Sequence, residues 1–180
     1  EATFILRQDA VRDIGKIFEL SEQQVRQRKV EFENFLLYNQ DWGKYVGKWA
    51  YEDVYQELDA IEKVLDQLRF TDPRTLQKMK EAGLATQYYQ IYTPADLEEE
   101  VMLPKQIWNF VMETAFPDRA FKSISENLVL SFFDQKAWKI EEDIPAQRTL
   151  RKNVQGKIPD KFTHVAAGSR IIDQDRKSVV

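Results

Sequence analysis

Cysteine is absent from the 180 residues, and histidine occurs only once, as His164. The chain can therefore form no disulfide, no thiolate zinc site, no cysteine nucleophile and no site that needs two imidazoles. No run of 18 uncharged apolar residues occurs, and this absence predicts that the chain has no transmembrane segment. Six glycines and six prolines are too few for a collagen-like or low-complexity chain.

The usual motifs of catalysis are missing as well. The chain has no Gly-x-Ser-x-Gly, no phosphate-loop signature and no dinucleotide-binding fingerprint. Acidic residues are consecutive at 98–100 and 141–143, and adjacent carboxylates on one helix point in different directions. We therefore predict no catalytic residue, no metal site and no cofactor. A carboxylate-based enzyme remains a third interpretation, because acid–base catalysis by Asp or Glu leaves no motif.

The start of the chain carries no visible targeting signal. Residues 1–4 include no basic region and no long apolar stretch, and the first residue is not methionine. A cytoplasmic protein and a processed protein of an organelle or a particle both fit these features. We assign no compartment from the sequence.

Apolar residues make up 43% of the chain, and most of them recur at helical spacing. This pattern predicts an all-α fold, an irregular bundle of five to seven helices. The clearest helix carries a stripe whose members are four or three residues apart and should be buried: Val54, Leu58, Ile61, Leu65 and Leu68. Further helical segments are expected around residues 10–18, 21–38, 73–82, 95–103, 104–116, 124–133 and 146–152, and Pro104 must kink or end the helix over 95–103 at Leu103. Strand patterns are confined to 3–6, 91–92, 165 and 171–172.

Residues 153–180 have a different pattern, without helical or strand period. The charge also changes towards this end of the chain. Residues 89–144 carry 5 basic and 11 acidic side chains, whereas residues 145–180 carry 8 basic and 3 acidic ones. We predict a helical domain over 1–152 and an extended basic C-terminal tail over 153–180. Apolar residues isolated among the cations are the expected anchors of this tail on a partner: Ile158, Phe162, Ile171 and Ile172.

Large aromatic residues cluster near residue 45. Trp42, Tyr45 and Trp49 recur at near-helical spacing, and Tyr51 and Tyr55 follow them. One helix face cannot bury five such side chains within 14 residues, and exposed aromatic residues are typical of protein interfaces. We therefore predict that Trp42, Tyr45 and Trp49 contact another protein.

Residues 9–28 resemble a helix-turn-helix segment, with apolar residues at the expected positions and the small Gly15 between them. The resemblance implies that the second helix presents its side chains to base edges in the major groove of DNA. The residues that would contact DNA are polar or basic: Gln23, Arg26, Gln27, Arg28 and Lys29.

Two functions from different classes follow from these features. The first is a non-catalytic interaction or assembly subunit of a larger complex, which binds other protein subunits through exposed aromatic residues and the tail. The alternative is a DNA-binding protein that uses residues 9–28.

Overall fold

The computed structural model describes residues 12, 14–38, 51–118 and 124–156. Within these ranges, 61% of the residues are helical and 11% lie in strands, so the predicted all-α class is wrong. The described part contains six helices and a four-stranded sheet. In chain order the elements are β1 (Phe18–Leu20), α1 (Glu22–Tyr38), α2 (Tyr51–Gln67), β2 (Arg69–Thr71), α3 (Pro73–Glu81), β3 (Tyr89–Ile91), α4 (Lys105–Ala115), α5 (Ile124–Asp134), β4 (Ile140–Glu142) and α6 (Ile144–Gly156).

The sheet has the strand order β3-β2-β1-β4. The first strand, β1, pairs antiparallel with both β2 and β4. In this register Phe18 lies opposite Phe70, and Leu20 lies opposite Ile140. The partners of β1 are therefore supplied by chain segments about 50 and 120 residues away, which a local pattern cannot show.

The predicted helix over 10–18 is wrong at its C-terminal end. Residues 14–17 are not helical, and Phe18 begins strand β1. Phe18 and Leu20 are buried while Glu19 is half-buried, which is the alternation of a strand. Residues 14–20 therefore lack the helix end and the turn that the helix-turn-helix resemblance of residues 9–28 implies, while residues 9–11 and 13 lie outside the described residues.

The predicted helix over 95–103 is wrong as well. The Asp96 side chain accepts a hydrogen bond from the Glu98 N–H at 2.8 Å, which satisfies the backbone locally without a helix. Val101 instead forms an isolated antiparallel bridge with Trp138. The remaining predicted helices, which begin near residues 21, 54, 73, 104, 124 and 146, are confirmed.

Capping residues, prolines and glycines in the sequence correctly predicted several helix ends. Asp72 caps α3 by accepting a hydrogen bond from the Thr75 N–H at 2.8 Å, and Pro73 occupies the first turn. Gly83 follows this helix with a φ of 76°, a left-handed conformation that glycine adopts at helix C-termini. Pro104 is the N-cap of α4, a position where its missing N–H costs no helical hydrogen bond.

The chain divides into two compact units. The larger unit comprises Phe18–Phe70 and Tyr88–Glu142, and it contains the helices α1, α2, α4 and α5. Its core includes the predicted stripe, four members of which lie in α2 while Leu68 follows the helix directly. All five are at most 2% exposed, so this prediction is confirmed. Aromatic residues from α1, α5 and the segment before β4 complete the core: Phe32, Phe133 and Trp138.

Among the described residues, the smaller unit takes in 12, 14–17, 71–87 and 143–156. Its described part contains helices α3 and α6, and residues 14–17 are hydrogen-bonded to both helices. The Gly15 N–H donates to Thr75 Oγ1 of α3 at 2.7 Å, and the Ile17 N–H donates to Gln147 Oε1 of α6 at 2.9 Å. The predicted end of the helical domain, residue 152, falls inside α6.

Gly15 is required by a close approach rather than by a turn between two helices. A Cβ atom at this position would collide with Asp72 Oδ2, an oxygen of the carboxylate that caps α3. Gly15→Ala should therefore displace the cap and lower the free energy of unfolding by about 1–2 kcal/mol in chemical denaturation. Gly156→Ala is the matched control, because nothing lies within 4 Å of its added Cβ. Equal stabilities of the two variants would contradict this role of Gly15.

Candidate protein-binding surface on helix α1

The predicted site residues fall into two groups in the structure. All seven predicted partner-binding residues lie outside the described ranges, so their role stays a prediction: Trp42, Tyr45, Trp49, Ile158, Phe162, Ile171 and Ile172. All five predicted DNA-binding residues lie on α1: Gln23, Arg26, Gln27, Arg28 and Lys29. Helix α1 thus carries every predicted site residue that the structure describes.

Arg28 is held inside the larger unit. Its side chain is only 13% exposed and donates to Glu31 at 3.0 Å and to the Ala137 carbonyl oxygen at 2.8 Å. Its guanidinium carbon also lies 5.9 Å from the centre of a Trp138 ring, within reach of a cation–π contact. A side chain fixed in this way cannot reach a DNA groove without breaking these contacts.

Lys29 joins α1 to α2. Its ammonium group binds Asp59 at 2.7 Å and Glu62 at 2.9 Å. The hydrogen bond to Asp59 is the main reason why the pKa of Lys29 is raised above its ordinary value, although partial burial acts in the opposite direction. The charge of Lys29 is therefore stabilised and already neutralised by two carboxylates of the same chain.

Arg26 is the most exposed of the three cations. It forms an ion pair with Glu22, one turn earlier on the same helix, and this contact raises the pKa of Arg26. Arg26, Arg28 and Lys29 thus point in three directions, and an acidic side chain neutralises each of them. They do not form the continuous basic patch that a phosphate backbone requires.

The solvent-facing side of α1 carries an uncharged stripe. Its members are all exposed and recur at steps of four and three residues: Gln23, Gln27, Val30, Asn34 and Leu37. We call this set the α1 stripe. At 1.5 Å per residue it is about 21 Å long, and it covers an arc of about 80° on the helix. This periodicity is typical of a helix seam that packs against a second helix.

Apolar side chains are unusually exposed along and beside the α1 stripe. Val30 is 53% exposed, Leu37 is 62% exposed, and the neighbouring Tyr38 is 82% exposed. Together they account for half of the large hydrophobic residues that are exposed in the described part of the chain. Clustering of this kind on one helix face is typical of an interaction surface, whereas exposed apolar residues that occur singly are ordinary.

Charged residues border the α1 stripe on both edges. Arg26 and Glu33 lie on one edge, and no cation among the described residues pairs with Glu33. Glu31 lies on the other edge, where Arg28 neutralises it and the Gln27 side chain approaches it at 3.4 Å. An uncharged centre with charged edges is the arrangement of helix–helix interfaces, in which the edges select the partner and its direction.

The α1 stripe was not predicted, although its signal is visible in the sequence. Only two of its five members, Val30 and Leu37, are apolar. The strongest apolar periodicity in α1 therefore belongs to its buried face, which includes Val25, Phe32 and Leu36. The usable signal is the absence of charge at five regularly spaced positions in a helix that carries six charged residues.

A groove lies between α2 and α4 in the larger unit. Its volume is about 440 Å³, and its polar lining includes Gln56, Asp59, Lys63, Tyr88 and Thr114. Asp59 is the one carboxylate of this lining and is bound to Lys29. The groove therefore offers no pair of carboxylates for acid–base chemistry of the kind that the third interpretation needs.

Neither a metal cluster nor a membrane span is found in the described ranges. No group of three or more His, Asp or Glu residues is arranged there to hold a metal ion. No described helix is both long enough and apolar enough to cross a bilayer.

The chain was also compared with known proteins. No protein-family model, no curated protein and no solved structure matches it, so its function has to be inferred from its own residues.

Proposed function

We propose that this chain is a non-catalytic protein-interaction module that docks through the α1 stripe onto a helix of a protein partner. The observation that carries the proposal is the exposure of Val30 and Leu37 at heptad spacing on a face with no charged residue at its centre. Burial of such side chains against a second helix removes apolar surface from water and drives association.

The composition of the α1 stripe also indicates how strong this docking is. Gln23, Gln27 and Asn34 keep their hydrogen bonds with water when α1 is unpartnered, so the surface is compatible with a stable free chain. In a complex, the same amides can bond to polar groups of the partner. We therefore expect reversible association rather than an obligate interface, which is normally more apolar.

The two other interpretations have less support. The DNA-binding alternative has less support because acidic side chains already bind Arg26, Arg28 and Lys29. A carboxylate-based enzyme has less support because only one carboxylate, Asp59, lines the groove. The aromatic residues around 45 and the basic tail remain predicted contributors to docking, because they lie outside the described ranges.

Site-specific photo-crosslinking tests the proposed function directly. A photoreactive phenylalanine analogue at Leu37 should give a protein adduct of higher mass in the cells that produce the chain. The same analogue at Asn109, an exposed residue of α4, is the matched control and should give at least about tenfold less adduct.

A second substitution shows whether the adduct depends on the α1 stripe. Val30→Glu places a carboxylate at its centre and should lower the Leu37 adduct by at least about tenfold, because this charged group would lose its water on docking. Equal adducts from Leu37 and Asn109, or an adduct that Val30→Glu leaves unchanged, would refute the proposed function.

A further inference from the structure

One edge of the α1 stripe carries both a cation, Arg26, and an anion, Glu33, so the same edge of a second copy can pair with it when the two helices are antiparallel. We infer that the α1 stripe docks onto the α1 stripe of a second copy of this chain, with the two helices antiparallel and Val30 on the twofold axis. This inference rests on the proposed function, because it names the partner of the same surface.

Charge on one edge sets the direction of the helices. Arg26 lies four residues before Val30 and Glu33 lies three residues after it, on the same edge of α1. When one helix is reversed about Val30, Arg26 of each copy lies beside Glu33 of the other copy. The twofold arrangement therefore places two Arg26–Glu33 pairs across the interface. Arg26 binds Glu22 through Nη1 alone, so its guanidinium keeps N–H donors for Glu33, which has no cationic partner among the described residues of its own chain.

The same register matches the other exposed side chains. Val30 packs on Val30 of the second copy at the axis, and Leu37 covers Gln23 at both ends of the interface. Tyr38, which is 82% exposed, lies at the same level as Leu37, and its hydroxyl can form a hydrogen bond with the side-chain amide of that Gln23. Each large exposed side chain of α1 thus acquires a neighbour of suitable size or chemistry.

The other edge of the α1 stripe, which carries Glu31, is compatible with the antiparallel register but does not favour it over the parallel one. Glu31 of the two copies approach each other there, and Arg28 of the same chain already neutralises each of them at 3.0 Å. A parallel pair of helices would instead place Glu33 beside Tyr38 and Arg26 beside the neutralised Glu31. Only the antiparallel pair gives Glu33 a cationic partner.

The absence of cysteine makes the inference directly testable, because any introduced cysteine is unique in the chain. Val30→Cys should form a disulfide-linked dimer of the full-length protein under mild oxidation at least about tenfold faster than Asn109→Cys, since the two Val30 positions meet at the axis. Leu37→Cys alone should react slowly, because its two copies lie about 21 Å apart along the helix. A mixture of Leu37→Cys with Gln23→Cys should react quickly.

Charge reversal separates specific docking from random collision. In the Val30→Cys background, Arg26→Glu or Glu33→Arg alone should slow dimer formation several-fold, and the two changes together should restore it. These positions are on the outside of α1, and circular dichroism checks that each variant is folded.

Three results would overturn the inference. The first is a Val30→Cys rate no higher than that of Asn109→Cys, and the second is rapid dimer formation by Leu37→Cys alone, which indicates parallel helices. The third is failure of the double charge reversal to restore the rate. If the purified chain does not dimerise but the Leu37 photo-adduct contains another protein, the second copy is refuted as partner while the proposed function stands.

Discussion

Trp138→Ala is expected to lower the free energy of unfolding by about 3–5 kcal/mol, which is at the high end for the truncation of one side chain. Trp138 is fully buried, and its rings lie 5.6 Å from Trp108 and 5.9 Å from Phe133, measured between ring centres. Truncation would remove these contacts and leave a cavity that the surrounding side chains cannot fill. Its indole N–H, which donates to the Phe133 carbonyl oxygen at 3.3 Å, would be lost too.

Urea denaturation monitored by far-ultraviolet circular dichroism measures this loss. Lys139→Ala is the matched control, because the neighbouring side chain is exposed and its removal should change stability by less than about 0.5 kcal/mol. A loss below about 1 kcal/mol for Trp138→Ala would show that this side chain does not belong to the core.

Leu58→Ala is expected to cost about 2–5 kcal/mol, from the lost transfer free energy and the cavity left behind. Leu58 is 1% exposed at the centre of the α2 stripe, and Ile61 on the next turn is equally buried. Ile61→Val removes a single methylene and should cost less, about 0.5–1.5 kcal/mol.

The same denaturation experiment ranks these variants. Lys63→Ala serves as the exposed control on the same helix and should lie within about 0.5 kcal/mol of the wild type. If Leu58→Ala cost no more than Lys63→Ala, the stripe of α2 could not belong to the core of the larger unit.

Most of the helices could be predicted because their signals are local. The spacing of Leu58, Ile61 and Leu65 specifies the buried face of α2 without reference to any other element. Asp72 and Pro73 mark the start of α3, since a cap and a fixed φ act within one turn. Such features need only neighbouring residues, so they can be interpreted from the chain alone.

Most of the sheet could not be predicted because its strands contain only three residues each, and the predicted strand pattern at 91–92 overlaps β3 only at Ile91. Phe18 and Leu20 alternate like a strand, but Ile14, Ile17 and Phe18 also fit a helical face, and so short a segment does not decide between the two periods. The strand conformation is fixed by the pairing of Phe18 with Phe70 and of Leu20 with Ile140, and both partners are distant in sequence.

The candidate site was only partly predictable for the same reason. Helix α1 and the basic residues on it were correctly located, but not the acidic residues that neutralise them. Lys29 is bound by Asp59 and Glu62, about 30 residues later, and Arg28 contacts Trp138 more than 100 residues later. Charges that look available in the sequence are therefore used in folding, while the uncharged positions between them form the exposed surface.

Sedimentation velocity of the purified full-length chain tests the central claim, that the α1 stripe binds a second copy. The mass of one chain is 21.3 kDa. At protein concentrations of roughly 1–100 µM, the range expected for a small, partly polar interface, the average mass should rise towards twice this value. Val30→Glu should remain a monomer throughout, and Asn109→Glu should behave like the wild type. A wild-type chain that stays at 21.3 kDa at every concentration, or a Val30→Glu variant that dimerises equally well, would contradict the claim.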